Sequence, residues 1–307
     1  MGAFSQAMLR PDGSTPLLGD SAADDTYLRF DATRRDFSDL NYWLWRDLLP
    51  PDTNANCPSN ADLRIFPDAG YAFLDNGTKA YVAFDFGAFS RCETSNHAHC
   101  DALSLELWAN GQRVVVDPGI YLPWHDHRDW TRYLRGTSAH NTVAIDEMEQ
   151  SKLSEAFDHR LAARTRLVRY ARCNASVAAV AECLPYRRNG DDVRHTREIC
   201  LEGEQMIIRD RVMGTGLHRL AWSFQFAPDI ELTYQNKLLT GLSARGKKLF
   251  MLETHTSQQA RLQLFYGHKN PLRGWVSRDS CQAIPAPMAS YSACAELPFE
   301  MESRFLL

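Results

Sequence analysis

The sequence predicts a mainly β protein, an antiparallel multi-sheet β-sandwich with one short amphipathic helix near its N-terminus. Three observations carry this. Short runs rich in β-branched and aromatic residues recur from about Leu63 to His268, with turn residues between them. Asn-Gly pairs at Asn76-Gly77 and Asn110-Gly111 sit between such runs, as hairpin turns do. No strand–helix–strand rhythm, Gly-rich phosphate loop or fixed-period repeat is present, which leaves an antiparallel sandwich.

Taken in order, the opening LRPDGSTPLLGDSAADD reads as loop and turn chemistry. Residues 1–30 are read as a linker-like segment ahead of a domain spanning 31–307. In RDFSDLNYWLWRDLLPP, Phe37, Leu40, Leu44 and Leu48 recur at spacings of three and four, which predicts a helix packed by one face. Pro50 and Pro51 stop it. Strand-like runs follow in LRIFPDAGYAFLDNGTKAYVAFDFG and LSLELWANGQRVVVD, then in five later segments up to ARLQLFYGH. Between them, Ile120 to Ser151 holds histidines, aromatic rings and arginines, and reads as a long loop or broken helix over a site.

Composition narrows the function classes. A formal net charge of −4 with scattered basic residues argues against a nucleic-acid surface or a membrane patch. No apolar run is long enough to span a bilayer. The first residues lack the pattern of a signal peptide, so the chain as written is expected to be cytoplasmic. The eight cysteines (Cys57, Cys92, Cys100, Cys173, Cys183, Cys200, Cys281 and Cys294) show no CxxC spacing and are expected to be buried or free thiols.

The chemistry-bearing stretch is HAHCDALSLELWANGQRVVVDPG, His97 to Gly119. On an extended chain His97 and His99 point the same way. The two imidazoles can share a metal, or one can bind metal while the other faces substrate. Asp117 and His140 are the natural residues to complete a zinc-like site. A simple hairpin raises an objection. With Asn110-Gly111 as its turn, Ala109 pairs with Gln112 and Ser104 faces Asp117. His99 then lies roughly 16 Å from Asp117, against metal bonds of about 2 Å. Asp117 also falls on the face opposite to Leu103, Leu105 and Leu107. A metal site therefore requires a fold-back, a bulge or a shifted register around Leu103. His125 and His127 read as a solvated loop, Tyr121 as packing, and Trp124 and Trp130 as sugar-stacking or core-covering rings.

These blocks resemble the C-terminal β-sheet domain of the heparinase II/III-like polysaccharide lyases. The carrying stretches are HAHCDALSLELWANGQRVVVDPGIY and RYLRGTSAHNTVAIDEMEQ, with looser likeness in REICLEGEQMIIRDRVMGTGLHRLAWSFQFAPD and RGWVS. The likeness begins near Pro11. The resemblance implies β-elimination on a uronate-containing acidic polysaccharide, such as a glycosaminoglycan or alginate. It implies His97 as base or carboxylate-neutralising group and Tyr133 as a second catalytic group. It implies substrate contacts from Arg132, Arg135 and Asn141, and a structural zinc on His99, Asp117 and His140. The family's N-terminal α/α toroid, which the resemblance implies carries a catalytic tyrosine, is expected to be absent from this chain, which is then expected to be weakly active or inactive alone. A separate toroid domain and a second copy of the chain are the protein partners left open. Two other readings are a non-catalytic carbohydrate-binding or exopolysaccharide-assembly domain that keeps the metal site, and a cupin-like metal enzyme.

Overall fold

The computed structural model describes residues 2–16, 61–77, 79–87, 98–121, 128–151, 162–173, 176–186, 193–280 and 282–307. The helix expected over 37–48 lies outside the described residues, as do His97, Trp124, His125 and His127. A different helix, α1 (Gly2–Met8), opens the chain. Its Phe4 packs edge-on to Phe66 at 5.1 Å, and the Tyr81 hydroxyl donates to the Ala7 carbonyl at 2.8 Å. The segment after it turns as its Pro-Asp-Gly composition predicts, with Gly13 N–H bonded to Arg10 O.

Five antiparallel strands form the first sheet in chain order: β1 (Asp62–Phe66), β2 (Tyr71–Asp75), β3 (Ala80–Asp85), β4 (Leu105–Ala109) and β5 (Gln112–Val115). Then come β6 (Gly119–Tyr121), α2 (Arg128–Arg135), a single 3-10 turn (Thr137–Ala139) and β7 (Val143–Ile145). Within Ile120 to Ser151, read as a long loop or broken helix, residues 128–139 are an interrupted helix. The next strands are β8 (Arg164–Cys173), β9 (Ser176–Tyr186), β10 (Val193–Glu202), β11 (Gln205–Met213), β12 (Leu217–Gln225), β13 (Ile230–Gln235), β14 (Leu238–Ser243), β15 (Lys248–Thr256) and β16 (Arg261–Tyr266). The chain closes with β17 (His268–Lys269), β18 (Leu272–Arg273), β19 (Trp275–Ser280), β20 (Ala283–Pro285), β21 (Pro287–Glu296) and β22 (Phe299–Leu306).

An eight-stranded sheet runs β13-β14-β15-β22-β11-β10-β9-β8, and a four-stranded sheet runs β16-β21-β12-β7. Among the described residues every pairing is antiparallel except β6 with β19. Alternation builds the core. Along β10, Val193, Ile199 and Leu201 are buried while Arg194 is exposed. Phe224 meets Phe305 at 5.3 Å and Phe226 stacks on Phe250 at 5.1 Å, joining the four-stranded sheet to the eight-stranded one. Each such fully buried ring contributes about 1.5–3 kcal/mol.

The two Asn-Gly pairs behave differently. Asn110 (φ 52) and Gly111 (φ 95) make the two-residue primed turn expected, with Ala109 opposite Gln112. Asn76-Gly77 instead belongs to a longer loop, because Asp75 pairs with Tyr81. There the Asn76 side-chain oxygen accepts from the Lys79 and Ala80 amides, so the asparagine works as a cap. Cys100, Cys173, Cys183, Cys200 and Cys294 are free thiols. No helix among the described residues is long and apolar enough to cross a membrane.

A buried histidine–carboxylate cluster as candidate metal centre

Two departures from a straight hairpin bring the site together. Ser104 N–H bonds to Asp101 O at 2.8 Å, closing a turn in which Leu103 takes a left-handed φ of 63°. The chain leaving His99 therefore folds back before β4 starts. The hairpin register also slips, since Trp108 faces Arg113 but Leu107 faces Val115. Val114 is the extra residue of a bulge. Continuing that register sets Asp117 opposite Leu105 rather than Ser104. The fold-back and the shifted register, posed as alternatives by the sequence, both occur.

The result is a group of four residues, His99, Asp101, Asp117 and His140, each offering a ligand atom within 4.8 Å of the others. His99 Nδ1 lies 3.2 Å from His140 Nε2, and His140 Nε2 lies 3.5 Å from Asp117 Oδ2. Both histidines are fully buried. His140 Nδ1 bonds to the Gly136 carbonyl at 2.8 Å. That bond makes Nδ1 the protonated nitrogen and leaves the Nε2 lone pair facing the cluster. Asp117 is steadied from behind: its Oδ1 accepts from Gly119 N–H at 2.8 Å, and its own N–H donates to Glu106 Oε1 at 3.3 Å. Glu106 in turn pairs with the buried Arg10 of the N-terminal segment.

Burial, with Asp101 and Glu106 nearby, holds the Asp117 carboxyl well above the usual carboxylate range. Burial, with His99 adding to it, pushes the His140 imidazole down to about 3. A bound cation would offset the repulsion that raises Asp117 and needs the neutral imidazole that His140 already presents. Two imidazole nitrogens and two carboxylate oxygens, with Asp101 partly exposed and the other three residues buried, lie within one ion's reach and fit a divalent cation.

Gly119 makes the Asp-Pro-Gly turn possible. Its φ is +72°, and a Cβ there would lie 1.8 Å from the Ser277 carbonyl oxygen. The neighbouring Pro118 carbonyl accepts from Ser277 N–H at 2.7 Å, tying the turn to β19. Gly119→Ala is expected to destabilise the protein by about 1–3 kcal/mol, read as a lower denaturant midpoint with the slope unchanged.

The other expected site residues separate into two groups. Arg132 and Tyr133 line an open cleft of about 880 Å³, which Glu149, Lys269 and Arg273 also line. Lys269 and Arg273 were not singled out from the sequence, although Arg273 opens the RGWVS block. Burial raises the Tyr133 hydroxyl to about 12, with the Arg273 cation pulling the other way. Arg135 and Asn141 face inward instead. Arg135 Nη2 donates to Ala98 O at 2.8 Å and Cys100 N–H donates to Arg135 O, so Arg135 holds the loop segment that carries His99. Asn141 is fully buried. Its Nδ2 donates to Leu105 O and Val116 O, and its Oδ1 accepts from Gln225 N–H. That leaves no outward face for a saccharide. Trp130 packs edge-on against Trp275 at 4.8 Å, in favour of the core-covering role.

Fold and site together define a multi-sheet antiparallel sandwich domain with a buried histidine–carboxylate centre. Residues 58–278 match the family described as heparinase II/III-like, C-terminal, and the chain belongs to that family. Among solved structures, heparan sulfate lyase HepC from Pedobacter heparinus superposes with a TM-score of 0.76 at 15% identity, covering 98% of this chain and 45% of that one. A heparinase III structure gives 0.73 at 15%, covering 100% and 47%. The heparinase III BT4657 gene product gives 0.73 at 16%, covering 99% and 45%. At such identities the likeness shows the fold alone, and this chain spans less than half the length of each. No curated protein matches the chain in a sequence search.

Proposed function

We propose that this chain is the β-sandwich portion of a polysaccharide lyase that cleaves a uronate-containing acidic polysaccharide by β-elimination. The observation that carries the reading is the His99–Asp101–Asp117–His140 cluster in a chain of this family. In the reaction, a base removes the proton from the carbon bearing the carboxylate. The glycosidic carbon–oxygen bond then breaks, a carbon–carbon double bond forms, and an acid protonates the leaving oxygen. Neutralising the carboxylate stabilises the developing charge.

In this reading His99, Asp117 and His140, with Asp101 as a fourth donor, hold zinc. The ion supplies a fixed positive centre that pins three chain segments together. His97, two residues before His99, is the base or carboxylate-neutralising group. Tyr133 is the second catalytic group, with Arg132 meeting the acidic sugar at the cleft and Arg273 joining it there. A helical toroid is the partner that completes the cleft.

The test is appearance of unsaturated uronate ultraviolet absorbance on heparin, heparan sulfate and alginate, with the chain alone and with a toroid supplied. The expected outcome is weak turnover alone and gain with the toroid, lost in Tyr133→Phe and His97→Ala. Absence of turnover in every combination sinks the lyase reading. A second reading, a carbohydrate-binding domain that keeps the metal centre, is supported by the cations Arg132, Lys269 and Arg273 that line the cleft, since they can hold an acidic polymer without any chemistry. Retained polymer binding without turnover would select it.

A further inference from the structure

We infer that Arg197, which does not line the cleft, is a positioning residue of the metal centre. The inference rests on the metal reading above and adds a residue to it. Arg197 lies on β10 and is fully buried. Its guanidinium grips Asp210 of β11 through two bonds, Nε to Oδ1 at 2.7 Å and Nη2 to Oδ2 at 3.0 Å. His195 Nε2 donates to the same Asp210 Oδ1 at 2.7 Å. The remaining arm, Nη1, donates to two main-chain carbonyls, Leu103 O at 2.7 Å and Asn141 O.

Those two carbonyls belong to the two segments that must meet for the cluster to form. Leu103 sits in the left-handed turn that follows His99 and Asp101. Asn141 follows His140 directly. One planar fork therefore ties both ligand-bearing segments to the eight-stranded sheet, with its charge neutralised by Asp210. A lysine keeps the charge and one bond to Asp210. As a single point donor it cannot hold the carboxylate twice and both carbonyls as well.

The experiment is Zn²⁺ titration of wild type and Arg197→Lys against a competing chelator, with thermal midpoints taken with and without Zn²⁺. The expected result is a roughly ten- to hundredfold loss of zinc affinity in Arg197→Lys, the range for residues that orient metal ligands. The zinc-induced rise in midpoint shrinks correspondingly. A purely structural role would lower both midpoints together and leave the affinity and the increment unchanged, which overturns the inference. If Arg197→Lys does not fold, the paired change Arg197→Gln with Asp210→Asn is used in its place. It removes both buried charges, keeps an amide pair and still withdraws the fork. Wild-type protein that gains nothing from Zn²⁺ overturns the metal reading itself, and the inference with it. Wild type and variant binding Zn²⁺ equally overturns the inference alone.

Discussion

His140→Ala is expected to reduce zinc affinity by more than about a hundredfold, beyond the usual cost of losing an orienting neighbour. Elemental analysis of protein purified with and without added Zn²⁺ reads this directly. The exposed His268 supplies the control, and His268→Ala should bind as wild type does. The pH dependence has a definite sign. Asp117 has a raised folded pKa, so its contribution to metal-free stability is full below the ordinary carboxylate range and is lost as pH rises through the folded value. His140 has a folded pKa depressed to about 3, so its contribution is full above the unfolded value of 6.5 and is lost as pH falls toward 3. Zinc requires Asp117 ionised and removes the penalty it carries. The zinc-induced rise in thermal midpoint should therefore grow with pH, and should be larger at about pH 7.5 than at about pH 5. His140→Ala should flatten that dependence along with the binding. A zinc increment independent of pH would contradict the cluster as the binding site.

Asn141→Asp is expected to destabilise the protein by about 3–5 kcal/mol, the cost of a buried charge without a partner. The side chains are nearly the same size, so packing is preserved. The Asn141 amide nitrogen faces two carbonyls, Leu105 O and Val116 O. An aspartate oxygen there would meet acceptors on both sides and be protonated or expelled. The same substitution at a sugar-binding position would weaken polymer binding and leave stability alone. Denaturant unfolding and polymer retention, measured on one preparation, separate the two roles. Loss of retention without loss of stability would restore Asn141 to the cleft.

Much of the fold was legible because its signals are local. Alternation along β10 and β11 and the primed turn at Asn110-Gly111 are written in consecutive residues. The centre was legible in part: His99, Asp117 and His140 come together as the resemblance implies, and the pairing arithmetic makes a broken ladder the condition for it. The bulge itself was not readable, because Val114, Val115 and Val116 are alike and nothing in the run says which is extra. Asp101 was overlooked although it shares parity with His97 and His99 on an extended chain. Asn141 is ambiguous in the sequence because a polar residue beside a candidate ligand suits a substrate contact and a backbone clamp equally. Only its partners, more than twenty residues away in sequence, distinguish them. Arg197 carries no local signal, since its role lies in two carbonyls whose positions the tertiary fold decides.

The place of β22 has a consequence for how the protein is made. It lies between β11 and β15, pairing Met206 with Phe305 on one side and Leu252 with Phe305 on the other. During synthesis, the strands before it can form two part-sheets, β8 to β11 and β13 to β15, each with an open edge. The edges face each other across a gap only residues 299–306 can fill. A nascent chain held short of that point presents two unpaired backbones that invite pairing with neighbours. Docking of residues 299–306 is thus the step that joins the two part-sheets, and chains ending before Phe299 should aggregate where chains that include this strand stay dispersed.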